Sequence, residues 1–171
     1  EDVARDPAAR EIGQRLFLNH CAQCHGSDAR GAASFPNLTD GDWLWGGSPE
    51  QITHTITEGR HGMMPPWNAQ IKPSEASDIA QYVRSLSGLA HDALRVVPGK
   101  RHFDTFCVAC HGADGKGNPA MGAPNLTDNV WLHGSSEASI VQTILNGREN
   151  IMPAQKNVLT EDQIRLLAAW V

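Results

Sequence analysis

Cys21-Ala22-Gln23-Cys24-His25 and Cys107-Val108-Ala109-Cys110-His111 decide how this chain is read. The two runs use all four cysteines of the 171 residues, and a histidine directly follows each pair. That is the attachment signature of c-type haem. On the first turn of a helix, two thiols at this spacing each reach one haem vinyl group and form a thioether there. The next residue lies under the ring, so His25 and His111 present imidazole nitrogen to iron. The expected cofactors are two haem c groups, and two covalent haems on one chain point to electron movement.

Other uses of cysteine explain less. A zinc site of four thiolates would use the same pairs but gives no reason for a histidine after each. Thioredoxin-like dithiols sit at a strand-to-helix turn, and no alternating apolar strand precedes either motif. Structural disulfides need no histidine at all.

Self-comparison divides the chain into similar halves of roughly 85 residues, small enough to be hard to stabilise alone. Aromatic content is 6 %, so a large flat cofactor is expected to supply part of each core. Gly13, Phe17 and Cys21 recur as Gly99, Phe103 and Cys107; after a two-residue insertion, Pro36-Asn37-Leu38-Thr39-Asp40 matches Pro124-Asn125-Leu126-Thr127-Asp128. The register then holds: Trp43 meets Trp131, Gly59-Arg60 meets Gly147-Arg148, Met64-Pro65 meets Met152-Pro153, and Tyr82 meets Trp170. This predicts a domain over 1–86, a linker over 87–98 and a second domain over 99–171.

The expected class is all-α, with helix, long loop, short helix, loop and helix in each half. Ile12, Leu16 and Phe17 stand at helical spacing before the first motif. Ser48 and Ser136 signal helix starts ahead of Ile52, Thr55, Ile56 and of Ile140, Thr143, Ile144. The last helices carry Ile79, Ala80, Val83 and Ile164, Leu167, Ala168, Val171. No strand pattern competes. Gly13 with Phe17 is expected against the helix bearing Tyr82, and Gly99 with Phe103 against the helix bearing Trp170.

Met64 and Met152 share one repeat position about forty residues after the haem histidines, where a loop can return to the other face of the ring. A thioether there makes the iron six-coordinate and raises its potential. His61 is the one alternative ligand for the first haem. Met63, paired with Ile151, is read as packing, and Met121 as loop surface. The carbonyls of Pro36 and Pro124 are expected to accept Nδ1–H of His25 and His111. Trp43, Trp131, Arg60 and Arg148 are candidate donors to haem propionates. A solvated face is the alternative for each arginine, and plain core packing for each tryptophan.

Over nearly its whole length the chain resembles the periplasmic dihaem portion of the c-type subunit of cbb3-type cytochrome c oxidases, the CcoP or FixP family. Phe35-Pro36-Asn37-Leu38-Thr39-Asp40, Asp42-Trp43-Leu44-Trp45-Gly46-Gly47, Gly59-Arg60 and Met63-Met64-Pro65-Pro66-Trp67 carry the resemblance in the first half. Gly122-Ala123-Pro124-Asn125-Leu126-Thr127-Asp128, Trp131-Leu132-His133-Gly134, Gly147-Arg148 and Met152-Pro153-Ala154 carry it in the second. The resemblance implies two tandem class I cytochrome c domains, with His25 and Met64 on one iron and His111 and Met152 on the other. It also implies a relay with no catalytic site of its own. Electrons would pass from a c-type cytochrome donor toward the monohaem subunit and then the haem-copper centre.

Family members carry a membrane anchor, whereas this chain has no long apolar run, so an excised periplasmic portion of an inner-membrane subunit is expected. The net charge of −5 argues against nucleic acid as a partner and favours a donor with a basic docking face. A free dihaem carrier of the cytochrome c4 type, and a dihaem peroxidase or gas sensor with an open iron site, are the competing readings.

Overall fold

The computed structural model describes residues 2–171. Its elements run α1 (Asp2–Arg5), α2 (Pro7–His20), α3 (Ala22–His25), α4 (Pro49–Glu58), β1 (Arg60–Met64), α5 (Pro73–Leu86), α6 (Ala93–Phe106), α7 (Val108–His111), α8 (Glu137–Asn146), β2 (Arg148–Met152) and α9 (Glu161–Trp170). The molecule is helical, as expected, with one small sheet added.

Local chemistry sets the helix starts. The Asp6 carboxylate accepts from the Ala8 N–H at 3.0 Å, and Pro7 occupies the first helical position of α2. The Ser48 hydroxyl accepts from Gln51 N–H at 3.3 Å, while the Gln51 side chain accepts from Ser48 N–H at 3.0 Å. Ser136 accepts from Ser139 N–H at 3.1 Å at the matching start of α8.

The chain forms two compact units that cut across its sequence repeats. One consists of the residues up to His61 together with Ile151–Val171; the other is the continuous stretch Gly62–Asn150. In the first, α2 packs on α9, and α9 also packs on α4. Phe17, Ile56, Leu159, Ile164 and Leu167 form its core, and Phe17 meets Trp170 with ring centroids 4.6 Å apart. In the second, α5 packs on α6 and α8. Ile79, Ala80, Val83, Phe103, Ile140 and Ile144 form that core, and Phe103 meets Tyr82 at 5.2 Å.

This arrangement corrects the expected packing. Gly13 lies against Trp170, where an added Cβ would stand 2.7 Å from the Trp170 Cβ. Gly99 lies against α5, where a Cβ would stand 2.0 Å from the Asp78 carbonyl oxygen. Each opening helix therefore packs on the closing helix of the other repeat. The two closing helices present equivalent surfaces, which is the condition under which elements exchange at low cost.

β1 and β2 hydrogen-bond to each other, and the boundary between units falls inside both strands. They run in opposite directions, since Gly59 lies against Met152 and Gly147 against Met64. No strand was expected here, because Arg60-His61-Gly62-Met63-Met64 has no apolar alternation; partner strand and burial alone define it.

The 87–98 linker is also shorter than expected. α6 starts at Ala93, after Asp92 accepts from Leu94 N–H at 3.0 Å, and continues through Pro98. A proline inside a helix costs roughly 3 kcal/mol. Contacts to α5 oppose that cost: Arg95 Nε donates to Asp78 at 2.6 Å, and Asp92 N–H donates to Gln81 Oε1 at 2.9 Å. Ile12, expected on the buried stripe of α2, is exposed; the buried side is Ala9, Gly13 and Phe17.

Candidate haem-binding sites

Each cysteine pair sits at a helical step built the same way. α2 ends at Cys21, whose N–H donates to the Phe17 carbonyl at 2.8 Å, and His25 N–H donates back to the Cys21 carbonyl at 3.0 Å. Cys107 and His111 repeat these bonds at 2.8 and 3.0 Å. Both cysteines and the histidine of each run therefore occupy one helical turn.

The following loop fixes each imidazole. His25 Nδ1 lies 3.0 Å from the Pro36 carbonyl oxygen and His111 Nδ1 lies 3.3 Å from that of Pro124. Donation from Nδ1–H leaves the Nε2 lone pair for iron. Gly31 and Gly117 permit this approach: both have positive φ, and a Cβ would stand 2.4 Å from the Phe35 carbonyl oxygen or 2.3 Å from that of Ala123. The Asn of each Pro-Asn-Leu-Thr-Asp run folds the loop, with Asn37 Oδ1 accepting from Thr39 N–H and Oγ1 at 2.9 and 2.7 Å, and Asn125 from Thr127 at 3.0 and 2.7 Å.

Both histidines are buried. Burial pushes His111 below the usual imidazole range, against a smaller opposing effect of the Pro124 carbonyl, so its neutral, metal-binding form is favoured. Burial first, and Cys110 second, push the Cys107 thiol up to about 12; Cys21 moves in the same direction for the same reasons, with Cys24 as its neighbour. The four cysteines form no disulfide. The two pairs belong to different units, and among the described residues no three His, Cys, Asp or Glu side chains converge as a metal cluster.

Each methionine lies in the unit that holds the histidine of the other repeat. Met152 packs against the Phe17 core, as do Cys21 and Ala22, in the unit of His25. Met64 packs against the Phe103 core, as do Cys107 and Val108, in the unit of His111. His61 lies exposed in β1, on the opposite side of the strand from half-buried Arg60 and Met64.

The polar residues form matching sets. Arg60 Nε donates to Thr55 Oγ1 at 2.8 Å, and its guanidinium lies 4.9 Å from the centroid of the Trp45 ring. Arg148 Nε donates to Thr143 Oγ1 at 2.9 Å. The two threonines, read as part of apolar stripes, thus orient the arginines; a repeated Thr five residues before a repeated Arg was the signal for it. Trp43 and Trp131 are both half-buried. Trp131 Nε1 is a buried donor with no hydrogen-bond partner among the described residues. Such a donor costs roughly 1–3 kcal/mol unless an acceptor arrives, and a haem carboxylate is an acceptor of the required kind. The chain thus fits the group its cysteines would hold.

Buried histidine fixed by a proline carbonyl, methionine in the same unit and a helical Cys-x-x-Cys step define the architecture of c-type cytochromes. The profile of the family described as "Cytochrome C oxidase, cbb3-type, subunit III" matches residues 8–83 and 95–171, and the chain belongs to that family. It is 52 % identical over 172 residues to the cbb3-type cytochrome c oxidase subunit CcoP of Rubrivivax gelatinosus, covering 100 % of this chain and 56 % of that protein. It is 45 % identical over 185 residues to subunit FixP of Bradyrhizobium sp. (strain ORS 278), covering 99 % and 64 %. CcoP of Cereibacter sphaeroides is 40 % identical over 184 residues, covering 99 % and 63 %. The chain thus spans roughly three fifths of these relatives' length. Among the described residues no helix is long and apolar enough to cross a membrane.

Proposed function

We propose that this chain is an electron relay holding two haem c groups, one in each compact unit. Cys21 and Cys24 attach one and Cys107 and Cys110 the other. In the first unit His25 and Met152 would supply imidazole nitrogen and thioether sulfur to the haem iron, and in the second His111 and Met64 would do so. The observation that carries this reading is the shared build of both units: a buried histidine with Nδ1 engaged, and a methionine packed on the same core as the first cysteine of the pair. Haem c supplies an iron that takes up and gives back one electron. The protein's part would be to hold the iron through His25 and Met152 or His111 and Met64, to exclude water, and to offer Arg60, Arg148, Trp43 and Trp131 to the propionates.

Within an oxidase the relay takes electrons from a c-type cytochrome and passes them through the monohaem subunit toward the haem-copper centre. Its setting is the periplasmic side of the bacterial inner membrane, with the full-length subunit anchored there. The relatives' names as oxidase subunits support this assignment. With two saturated irons, the ferrous holoprotein is expected to bind carbon monoxide poorly, and the full subunit in its oxidase to be reduced by a c-type cytochrome before oxygen is consumed. Rapid stoichiometric carbon monoxide binding, or peroxidase turnover by the native holoprotein alone, would overturn the relay.

A further inference from the structure

Near-identical repeats leave open which closing helix each opening helix takes, yet the molecule adopts one arrangement. In each unit an ion pair joins one repeat to the other. In the second unit Arg95 of α6 lies on Asp78 of α5: its Nε donates at 2.6 Å, and its other nitrogens donate to Ser77 Oγ at 2.7 Å and to the Ser74 carbonyl at 3.1 Å. Glu137 of α8 stands 3.6 Å from the same guanidinium and accepts from the Ser77 hydroxyl. In the first unit Lys156, between β2 and α9, pairs with Glu58 of α4.

Neither pair recurs at the equivalent positions of the other unit. In the repeat register Ala9 stands for Arg95, Leu166 for Asp78 and Arg165 for Ser77, while Asn146 stands for Glu58 and Asn68 for Lys156. The register holds in space as well: a Cβ added to Gly13 would meet the Leu166 carbonyl oxygen at 2.8 Å, as one added to Gly99 would meet that of Asp78 at 2.0 Å.

We propose that these two pairs select the crossed pairing of helices, Arg95 with Asp78 first and Lys156 with Glu58 second, and so decide which methionine joins which histidine. The inference rests on the haem reading above. Phe17 and Phe103 would each meet an aromatic in either arrangement, so charge is what separates the two. Were each opening helix to take the closing helix of its own repeat, Ala9 would face Asp78 and leave that carboxylate without its cation. Arg165 would then occupy the place of Ser77 beside Arg95, with Glu137 the acid shared by two arginines. Lys156 would meet Asn146, and Glu58 would meet Asn68. The Arg95 end dominates because the Arg95 and Asp78 side chains are 32 % and 20 % exposed, against 48 % and 42 % for Lys156 and Glu58. A half-buried carboxylate stripped of its partner costs more than an exposed pair contributes.

The test exchanges the charges on the opening side of each repeat and leaves the closing helices alone: Ala9→Arg with Arg95→Ala, and Glu58→Asn with Asn146→Glu. It is made in holoprotein that carries haem only at Cys21 and Cys24, through Cys107→Ala and Cys110→Ala. The readout is the red charge-transfer band that methionine sulfur gives to ferric haem, followed with Met64→Ala and with Met152→Ala. The exchange should move the ratio of crossed to sequential chains by about tenfold or more, so that Met64→Ala removes band intensity that it leaves untouched when the charges are native. A band that still depends on Met152 alone would overturn the proposal. If the exchanged chain takes up no haem, adding Asp78→Leu, Leu166→Asp, Asn68→Lys and Lys156→Asn decides. Return of the band with its Met152 dependence supports selection by charge, and failure to return overturns it. Absence of any methionine band with native charges would remove the relay reading and this proposal together. A native band whose dependence the exchange does not move would remove this proposal alone.

Discussion

The unit of residues 62–150 is one unbroken stretch in which the closing helix α5 precedes the opening helix α6; the other unit joins an opening helix from one end of the sequence to a closing helix from the other. Both nevertheless build the same contact, a glycine and phenylalanine on one helix against an aromatic on its partner. The pairs differ in detail: Phe17 and Trp170 are tilted at 33°, while Phe103 and Tyr82 meet edge-on at 65°. Helix packing is thus specified by the facing surfaces, and chain connectivity is free to vary around it.

Cutting the chain should separate the units most strongly. Residues 62–150, expressed alone with haem maturation, are expected to fold and attach one haem. Residues 1–86 lack both α9 and Met152 and should remain largely unfolded by circular dichroism. A stable six-coordinate cytochrome from 1–86 would restore the sequence repeat as the folding unit.

Next in size are the buried phenylalanines. Phe17→Ala and Phe103→Ala should each cost about 3–5 kcal/mol in denaturant unfolding. Each loss should fall on its own unit, so that Phe103→Ala leaves the spectrum of the haem at Cys21 unchanged.

Smaller losses are expected where the opening helices approach their partners. Gly13→Ala and Gly99→Ala should cost about 1–3 kcal/mol, with Gly99→Ala the larger, because its methyl meets the Asp78 backbone at 2.0 Å rather than the Trp170 side chain at 2.7 Å. Equal losses would mean that the two crossings tolerate crowding alike.

The smallest effect concerns an exposed ion pair in the first unit. Lys156 hydrogen-bonds to Glu58 and holds its carboxyl below the usual range. A lowered folded-state pKa gives stability that is present above the ordinary carboxylate pKa and lost as pH falls through the lowered one. Lys156→Met should flatten that acid limb slightly, and added salt should do the same to the parent protein.

The helical turn that holds each Cys-x-x-Cys-His run was legible in the sequence, because its bonds span only four residues. So were the Pro36 and Pro124 carbonyls and the caps at Ser48 and Ser136, all set within one loop or one helical turn. The placement of Met152 in the unit of His25 was not. Met64-Pro65 and Met152-Pro153 are the same signal, as are Tyr82 and Trp170, and near-identical repeats do not say whose closing segment each opening helix receives. The β1 and β2 strands were hidden because their pairing partner lies in the other repeat. Pro98 read as a linker mark because the α5 contacts that oppose its cost are tertiary.

Crossed ligation is tested most directly in a protein that holds haem only at Cys21 and Cys24, with Cys107→Ala and Cys110→Ala. The measurement is the red charge-transfer band that methionine sulfur gives to ferric haem. Met152→Ala in that background should abolish the band and open the ferrous haem to carbon monoxide, while Met64→Ala should leave both unchanged. Loss of the band with Met64→Ala and its survival with Met152→Ala would contradict the crossed arrangement.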